Sequence, residues 1–353
     1  VRVLLVPYPA AWSLQGGHRT QALQTQEALA RAGVACEIVE PREAVAAAVD
    51  VVHFFGSPGP LLALGRPVAP LVVTPVHFPA RVVLGWLPDR PGRVPAARAH
   101  ARHAALCVRY PRRRRRIRDE FAAAVAAYGE ADLLVVNSLA EGELLRADAR
   151  GPLPPVRVAY SGVAEPFFHG SPEEGRRLLE LGDEPLVLCV GRVEPRKNQL
   201  ALALALRELP HRLVLVGAVH TANEGYLAAC RRARPDLLHV PHLDPSLLPH
   251  VYAAASVHVL PSWYETTGLA TLEALAAGTA AVAGRGPCVE EYFGDCAELH
   301  DPGDLRGLRA ALDRALATPR GAGRDSARQF SWDRTAAELL AAYETVAAGR
   351  EAA

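Results

Sequence analysis

Two glutamates, Glu265 and Glu273, stand eight positions apart in PSWYETTGLATLEALAAG, the first ending a strand-like passage and the second inside a run of Ala and Leu with helical character. An acid about one turn inside a helix that begins at the end of a strand can reach the same cleft as the acid that ends the strand. Between them Thr267, Gly268 and Leu269 fall at the expected helix N-terminus. Free backbone N–H groups and the positive end of the helix dipole receive a phosphate there, and a glycine lets it come close. A carboxylate deeper in the site suits hydroxyl groups, because an ionised acid accepts two or more hydrogen bonds. Phosphate together with polyol describes a nucleotide sugar.

A second stretch supplies positive charge. In VGRVEPRKNQ, Arg192 leaves a strand and Lys197 follows five residues later at the expected start of a helix. A planar bidentate cation and a flexible point charge then share one wall, as a departing diphosphate needs. Earlier in the chain, LQGGHR puts Gly16 and Gly17 where backbone could approach a ligand, and VVTPVHFP ends a strand with His77. The plainer readings are that Gly-Gly simply makes a turn and that a strand-end histidine is structural. His18, His53, His242 and His258 are read as structural.

The elements that must position these residues come as two series. VRVLLVPYP, VACEIVEP, DVVHFFG, LVVTPVHFP, ADLLVVNS and VRVAYSG alternate with helical patterns, and LVLCVGRV, HRLVLVGAV, LLHVPHL, SVHVLPSWYE and GTAAVAGRG repeat the design. Strand and helix in alternation predict an α/β fold of parallel sheets with helices on both faces, and ligand loops at the carboxyl ends of the strands. Gly and Pro cluster in SGVAEPFFHGSPEEG, residues 161–175, which is read as the linker. The expected division is an N-terminal domain over 1–165, a C-terminal domain over 166–335, and a terminal helix over 336–353, capped at Ser331 or Asp333, that could pack back on the N-terminal domain.

Composition bounds the function. The 353 residues exceed the usual span of one core, and half are apolar, enough to fill two. Lys plus Arg total 39 against 38 for Asp plus Glu, which argues against a general attraction to nucleic acid or anionic membrane and leaves any anion recognition local. The run Arg112–Arg118 in PRRRRRIRDEF reads as a solvated helix face, with contact to a membrane surface or polyanion as the alternative. Six scattered cysteines without a Cys-x-x-Cys pair read as buried thiols in a reducing compartment. VRVLLVPYP opens as a strand with no leader pattern, and no apolar run approaches the roughly 18 residues needed to cross a bilayer, so a cytoplasmic protein without a transmembrane segment is expected. No Asp-x-Asp occurs and no His or Cys set has metal-ligand spacing, so no metal and no cofactor are expected beyond a nucleotide-sugar co-substrate.

Together these segments resemble the retaining nucleotide-sugar glycosyltransferases of family 4, with their GT-B fold of two facing Rossmann-like domains and a cleft between them. The Gly-Gly turn, VVTPVH, ADLLVVNS, VRVAYSGV, VGRVEPRKN, LPSWYETTGLATLEALAAG and FSW occur in that family's order over nearly the whole chain. The resemblance implies an acceptor-binding N-terminal domain and a donor-binding C-terminal one. Arg192 and Lys197 would bind the donor diphosphate, Glu273 would hold the ribose hydroxyls, and Glu265 with the amides of Thr267, Gly268 and Leu269 would contact the donor sugar and phosphate. Gly16 and Gly17 would line the diphosphate site and His77 would sit beside the transferred sugar, so that His77, Arg192, Lys197 and Glu265 form the implied catalytic set.

The implied reaction moves a hexose-type sugar from a nucleotide diphosphate to a hydroxyl acceptor with retention, as a same-face displacement without a protein nucleophile. Charge grows on the departing diphosphate, where cations and helix amides stabilise it. A phosphorylase-like enzyme of the same fold and a non-catalytic sugar-binding relative are the alternatives. The loops YPAAWSLQGG and 81–118 would choose the acceptor, with Trp12 and Trp86 available to stack on a ring.

Overall fold

The structure, a computed structural model, describes residues 1–8, 16–83 and 111–351. Short β-branched runs form the strands, and the central ones, β3 (Val51–Phe55), β4 (Leu71–Thr74) and β5 (Leu133–Val136), are buried at every position and so covered on both faces, with His53 and Thr74 the only polar side chains among them. With β1 (Arg2–Pro7), β2 (Ala35–Ile38) and β6 (Val156–Val158) they make one six-stranded sheet in the order β2-β1-β3-β4-β5-β6. Its pairings are parallel.

This sheet belongs to the first of two compact units, which takes in described residues up to 162 and again from 330 onward. The return segment is the helix Trp332–Glu351. Ser331 caps it, its Oγ accepting from the Arg334 amide at 3.2 Å. The helix is fastened from its buried face: Tyr343 is fully buried with its hydroxyl 2.7 Å from His53 Nδ1, while His53 Nε2 lies 2.8 Å from Thr74 Oγ1. Both nitrogens of His53 are therefore partnered, and burial pulls its pKa down to about 3. Arg115 and Arg116 of the basic run lie exposed on the helix Pro111–Ala127, opposite Asp119 and Glu120 at 3.7 and 3.0 Å. Trp12, Trp86 and Cys107, with most of the two expected acceptor loops, lie outside the described residues.

The second unit, Val163–Gln329, carries the other six-stranded parallel sheet: β7 (Leu186–Val190), β8 (Arg212–Val216), β9 (Leu238–Val240), β10 (Val257–Leu260), β11 (Ala280–Gly284) and β12 (Glu298–His300). The period of two is visible in its packing. β7 and β8 send Val187, Cys189, Leu213 and Leu215 to one core, with Leu202, Leu308 and Leu312 from helices, and Leu186, Leu188, Val214 and Val216 to the other, with Val251 and Tyr252. The helix Leu305–Ala317 buries Leu308, Ala311, Leu312 and Ala315, a stripe at helical spacing, behind an Asp304 cap.

The strand order β12-β11-β10-β7-β8-β9 fixes where a ligand can enter. The chain runs outward from β7 through β8 to β9, then crosses back to β10 and proceeds the other way, so the direction of winding reverses between β7 and β10. In open parallel sheets that reversal leaves a crevice outside the carboxyl ends of the two strands. Among the described residues no helix is long and apolar enough to cross a membrane.

Candidate active site

The loops leaving β7 and β10 meet at that reversal. After β7 the chain passes Gly191 at φ 143°, a conformation that glycine adopts readily, then runs through Arg192 to a short 3₁₀ turn over Pro195–Lys197. Asn198, at φ 59°, ends the turn and starts the helix Gln199–Ala205. Asparagine is one of the few side chains that tolerates this left-handed geometry. Its buried Nδ2 donates to the carbonyls of Pro261 (3.1 Å) and Pro302 (3.0 Å), tying the loop after β7 to those after β10 and β12.

Lys197 Nζ donates to Glu265 Oε1 at 2.7 Å, with both side chains almost wholly covered. Arg196 crosses between the loops: Nη2 reaches Glu194 Oε1 at 2.8 Å, and Nη1 reaches the Tyr264 carbonyl at 2.8 Å and Glu265 Oε1 at 3.4 Å. Arg192 approaches Glu194 Oε1 at 3.5 Å. Burial alone would raise the pKa of Glu265, but the charges of Lys197 and Arg196 outweigh it and hold the carboxyl below its ordinary value. Glu265 is an ionised acid pinned by two cations. Three cations and two carboxylates gather here, so the corner carries a surplus positive charge before Glu273 is counted.

The helix Leu269–Ala276 starts at Gly268, whose φ of 77° and close neighbour Phe293 Cε2, 3.1 Å from where a Cβ would stand, favour glycine. Thr267, Gly268 and Leu269 thus sit at a helix N-terminus, as the sequence predicts, and Glu273 lies one turn in. Its surroundings differ from those of Glu265. Its partner is the Tyr252 hydroxyl, which donates to Oε2 at 2.7 Å from the helix Leu248–Ala254. Tyr252 is fully buried, and Thr279 Oγ1 donates to its carbonyl at 2.7 Å. Burial pushes the Glu273 pKa up to about 7, with the tyrosine opposing.

Structure therefore gathers Arg192, Lys197, Glu265, Thr267, Gly268, Leu269 and Glu273 on the loops and helix of the second unit. Gly16, Gly17 and His77 belong to the first. Gly16 precedes the helix Gly17–Arg31, accepting from the amides of Arg19 and Thr20. His77 follows β4 and is enclosed, with Nε2 2.8 Å from Asp148 Oδ2 and its backbone N–H donating to Glu141 Oε1 at 2.5 Å. Burial lowers its pKa, with Asp148 opposing.

Sequence reading missed Glu194, Arg196, Asn198 and Tyr252. Elsewhere in the second unit a cavity of 610 Å³ is lined by Arg285, Glu290, Asp295, Cys296, Glu298 and Arg314. Its arginines are already matched by acids, Arg285 to Glu290 at 3.1 Å and Arg314 to Glu298 at 2.8 Å, so it offers no surplus charge to an anion. Among the described residues no group of three or more His, Cys, Asp or Glu is placed to hold a metal ion.

Solved structures share this architecture across the chain. Sucrose-phosphate synthase from Thermosynechococcus elongatus superposes with a TM-score of 0.74 and 20% identity, over 99% of this chain and 100% of that one. Anabaena HepE in complex with UDP and glucose gives 0.70 at 15% identity, over 98% of this chain and 100% of that one. The fold is thus that of the GT-B glycosyltransferases, built from two parallel Rossmann-like sheets. Residues 171–331 match the family described as glycosyl transferases group 1, and a D-inositol 3-phosphate glycosyltransferase from Acidothermus cellulolyticus (strain ATCC 43068 / DSM 8971 / 11B) is 32% identical over 317 residues, 76% of this chain and 67% of that protein. The chain belongs to glycosyl transferases group 1. It spans between 53% and 67% of the length of the first curated relatives it matches.

Proposed function

We propose that the protein moves a hexose-type sugar from a nucleoside-diphosphate donor to a hydroxyl acceptor with retention of anomeric configuration. The observation that carries this reading is the surplus positive corner at the winding reversal, where Lys197 and Arg196 hold an ionised Glu265 and Arg192 stands beside Glu194. A diphosphate placed there meets Arg192, Lys197 and the amides of Thr267, Gly268 and Leu269. Charge that develops on it as the glycosidic bond breaks is met by groups already in place, so no solvent reorganisation is needed at that moment. Glu273 takes the ribose hydroxyls and Glu265 the donor sugar.

The reading draws support from Anabaena HepE, whose structure holds UDP and glucose, and from the inositol phosphate glycosyltransferase name of its relative. The first unit takes the acceptor, with Gly16 and Gly17 on the ligand side and His77 as the enclosed residue that fixes the turn after β4. The described cysteines all carry free thiols, which suits a reducing cytoplasm. The test needs no acceptor: the protein is incubated with UDP-, GDP-, ADP- and dTDP-sugars and release of the nucleoside diphosphate is followed. Slow hydrolysis of one donor is expected, and a protein that neither hydrolyses nor binds any of them would overturn the reading.

A further inference from the structure

Glu194 and Arg196 have no assigned part in the site, yet they occupy its most crowded position. One carboxylate oxygen, Glu194 Oε1, lies 2.8 Å from Arg196 Nη2 and 3.5 Å from Arg192 Nη2. The side chains of Glu194 and Arg196 are each 17% exposed, whereas that of Arg192 is 36% exposed. Both terminal nitrogens of Arg196 are committed to protein acceptors, and its carbonyl accepts from the Trp263 amide at 2.9 Å. Arg196 thus bolts the loop after β7 to the loop after β10. At this degree of cover, charges interact strongly and salt screens them poorly.

We propose that Arg196 is a positioning residue that engages Glu194 and Glu265 and thereby keeps Arg192 available to the diphosphate, with Glu194 as the internal anion that competes for that arginine. The proposal rests on the nucleoside-diphosphate reading above. Remove the charge of Arg196 and three cations against two carboxylates become two against two. Glu194 then falls wholly to Arg192, and Glu265 rests on Lys197 alone. The phosphate-binding part of the site loses its surplus, while the nucleoside part is untouched. Arg196 need not contact the ligand for this to hold.

The experiment compares ligands with and without charge. Calorimetry on the full chain identifies which of UDP, GDP, ADP and dTDP binds the wild type best, and ligand-observed NMR measures the corresponding nucleoside. Arg196→Gln should weaken the diphosphate about tenfold or more, about 1.4 kcal/mol, and leave the nucleoside within about twofold. Glu194→Gln should tighten the diphosphate by about threefold, and the double variant should return to within about threefold of wild type, because the competing anion has gone with its partner.

A purely structural role for Arg196 would weaken both ligands together and would not be rescued by Glu194→Gln; that result overturns the proposal, as does unchanged diphosphate affinity. Should Arg196→Gln fail to fold, Glu194→Gln decides alone, and unchanged or weaker diphosphate binding sinks the idea. If the wild type binds none of the four diphosphates, the functional reading falls and takes this proposal with it. The other negative outcomes leave that reading standing.

Discussion

The corner around His77 in the first unit and the corner around Lys197 in the second are built alike and end differently. Each follows a buried parallel strand, and each contains a non-glycine residue in left-handed backbone, Val76 at φ 47° and Asn198 at φ 59°. Each also holds a glutamate whose side chain is largely covered. Glu141 accepts from the His77 amide at 2.5 Å and from the Asn137 amide and side chain at 2.6 and 3.0 Å, while Asp148 accounts for the His77 ring. No cation is needed there, because the amides satisfy the acid. Around Glu265 the partners are full charges that outnumber the acids. A buried polar network whose donors and acceptors cancel holds a turn in place, and one that leaves charge over holds it for something else.

Breaking the charged corner should have the largest effect. On the proposed reading, Arg192→Ala and Lys197→Ala should each fold and lose on the order of a hundredfold or more in turnover, with a smaller rise in donor KM, because the cations would act most on the departing diphosphate. Steady-state kinetics with less than a fivefold change in both would place them in ordinary ion pairs, worth about 0–1 kcal/mol at a surface. Glu273→Ala should weaken nucleoside diphosphate binding by about ten- to a hundredfold, the scale of one hydrogen bond to an ionised acceptor. Unchanged affinity by calorimetry would remove it from the site.

The two corners should also separate by pH. If Glu273 holds the ribose hydroxyls as proposed, it does so best as the charged acceptor, and burial puts its pKa at about 7, so nucleotide affinity should fall as pH drops through 7, by up to about tenfold per unit. The stability sign is opposite. Its folded pKa lies above the ordinary 4.5, so between 4.5 and 7 the folded state binds more protons than the unfolded one and loses stability as pH rises. Glu273→Gln should therefore raise unliganded stability at pH 8, by on the order of 1–3 kcal/mol, even as binding suffers. Equal denaturation midpoints at pH 8 would show that Glu273 is not strained by burial.

In the self-satisfied corner, Glu141→Gln should act on the fold. A side-chain amide cannot accept from all three Asn137 and His77 donors with both ends, so about 1–3 kcal/mol of stability should go, read as a lower denaturation midpoint. The smallest effect expected is that of EDTA, which should change turnover less than about twofold because the positive charge at the site is supplied by side chains and amides; full loss restored by manganese would reverse that expectation.

Much of this was legible beforehand because it is local. Strand runs, the Ser331 cap and the placing of Thr267 and Gly268 ahead of the helix that carries Glu273 follow from periodicity and from turn residues. What stayed hidden depends on strand order. Arg196 and Glu194 lie in the quoted segment VGRVEPRKNQ, yet charges beside a turn look like solvated surface until β10 is known to pair with β7 and bring Glu265 to them. Tyr252 lies in an apolar run and is buried; only the helix packing turns its hydroxyl towards Glu273, twenty-one positions later. The Asp148 partner of His77 lies seventy-one residues away.

Asn198 carries one more consequence. Its side-chain amide stitches the loop after β7 to carbonyls that follow β10 and β12, so residues 192–198 cannot peel away without undoing three strand ends at once. Proteins open in cooperative patches, and a loop fastened to several strands should open with the patch that holds them. The backbone protons of Val193 and Lys197, bonded at 3.0 Å to the carbonyls of Ala218 and Glu194, should then exchange with deuterated solvent on the timescale of the central sheet. Rapid exchange there would mark a jaw that flexes; slow exchange would mark one machined to hold its shape while substrates come and go.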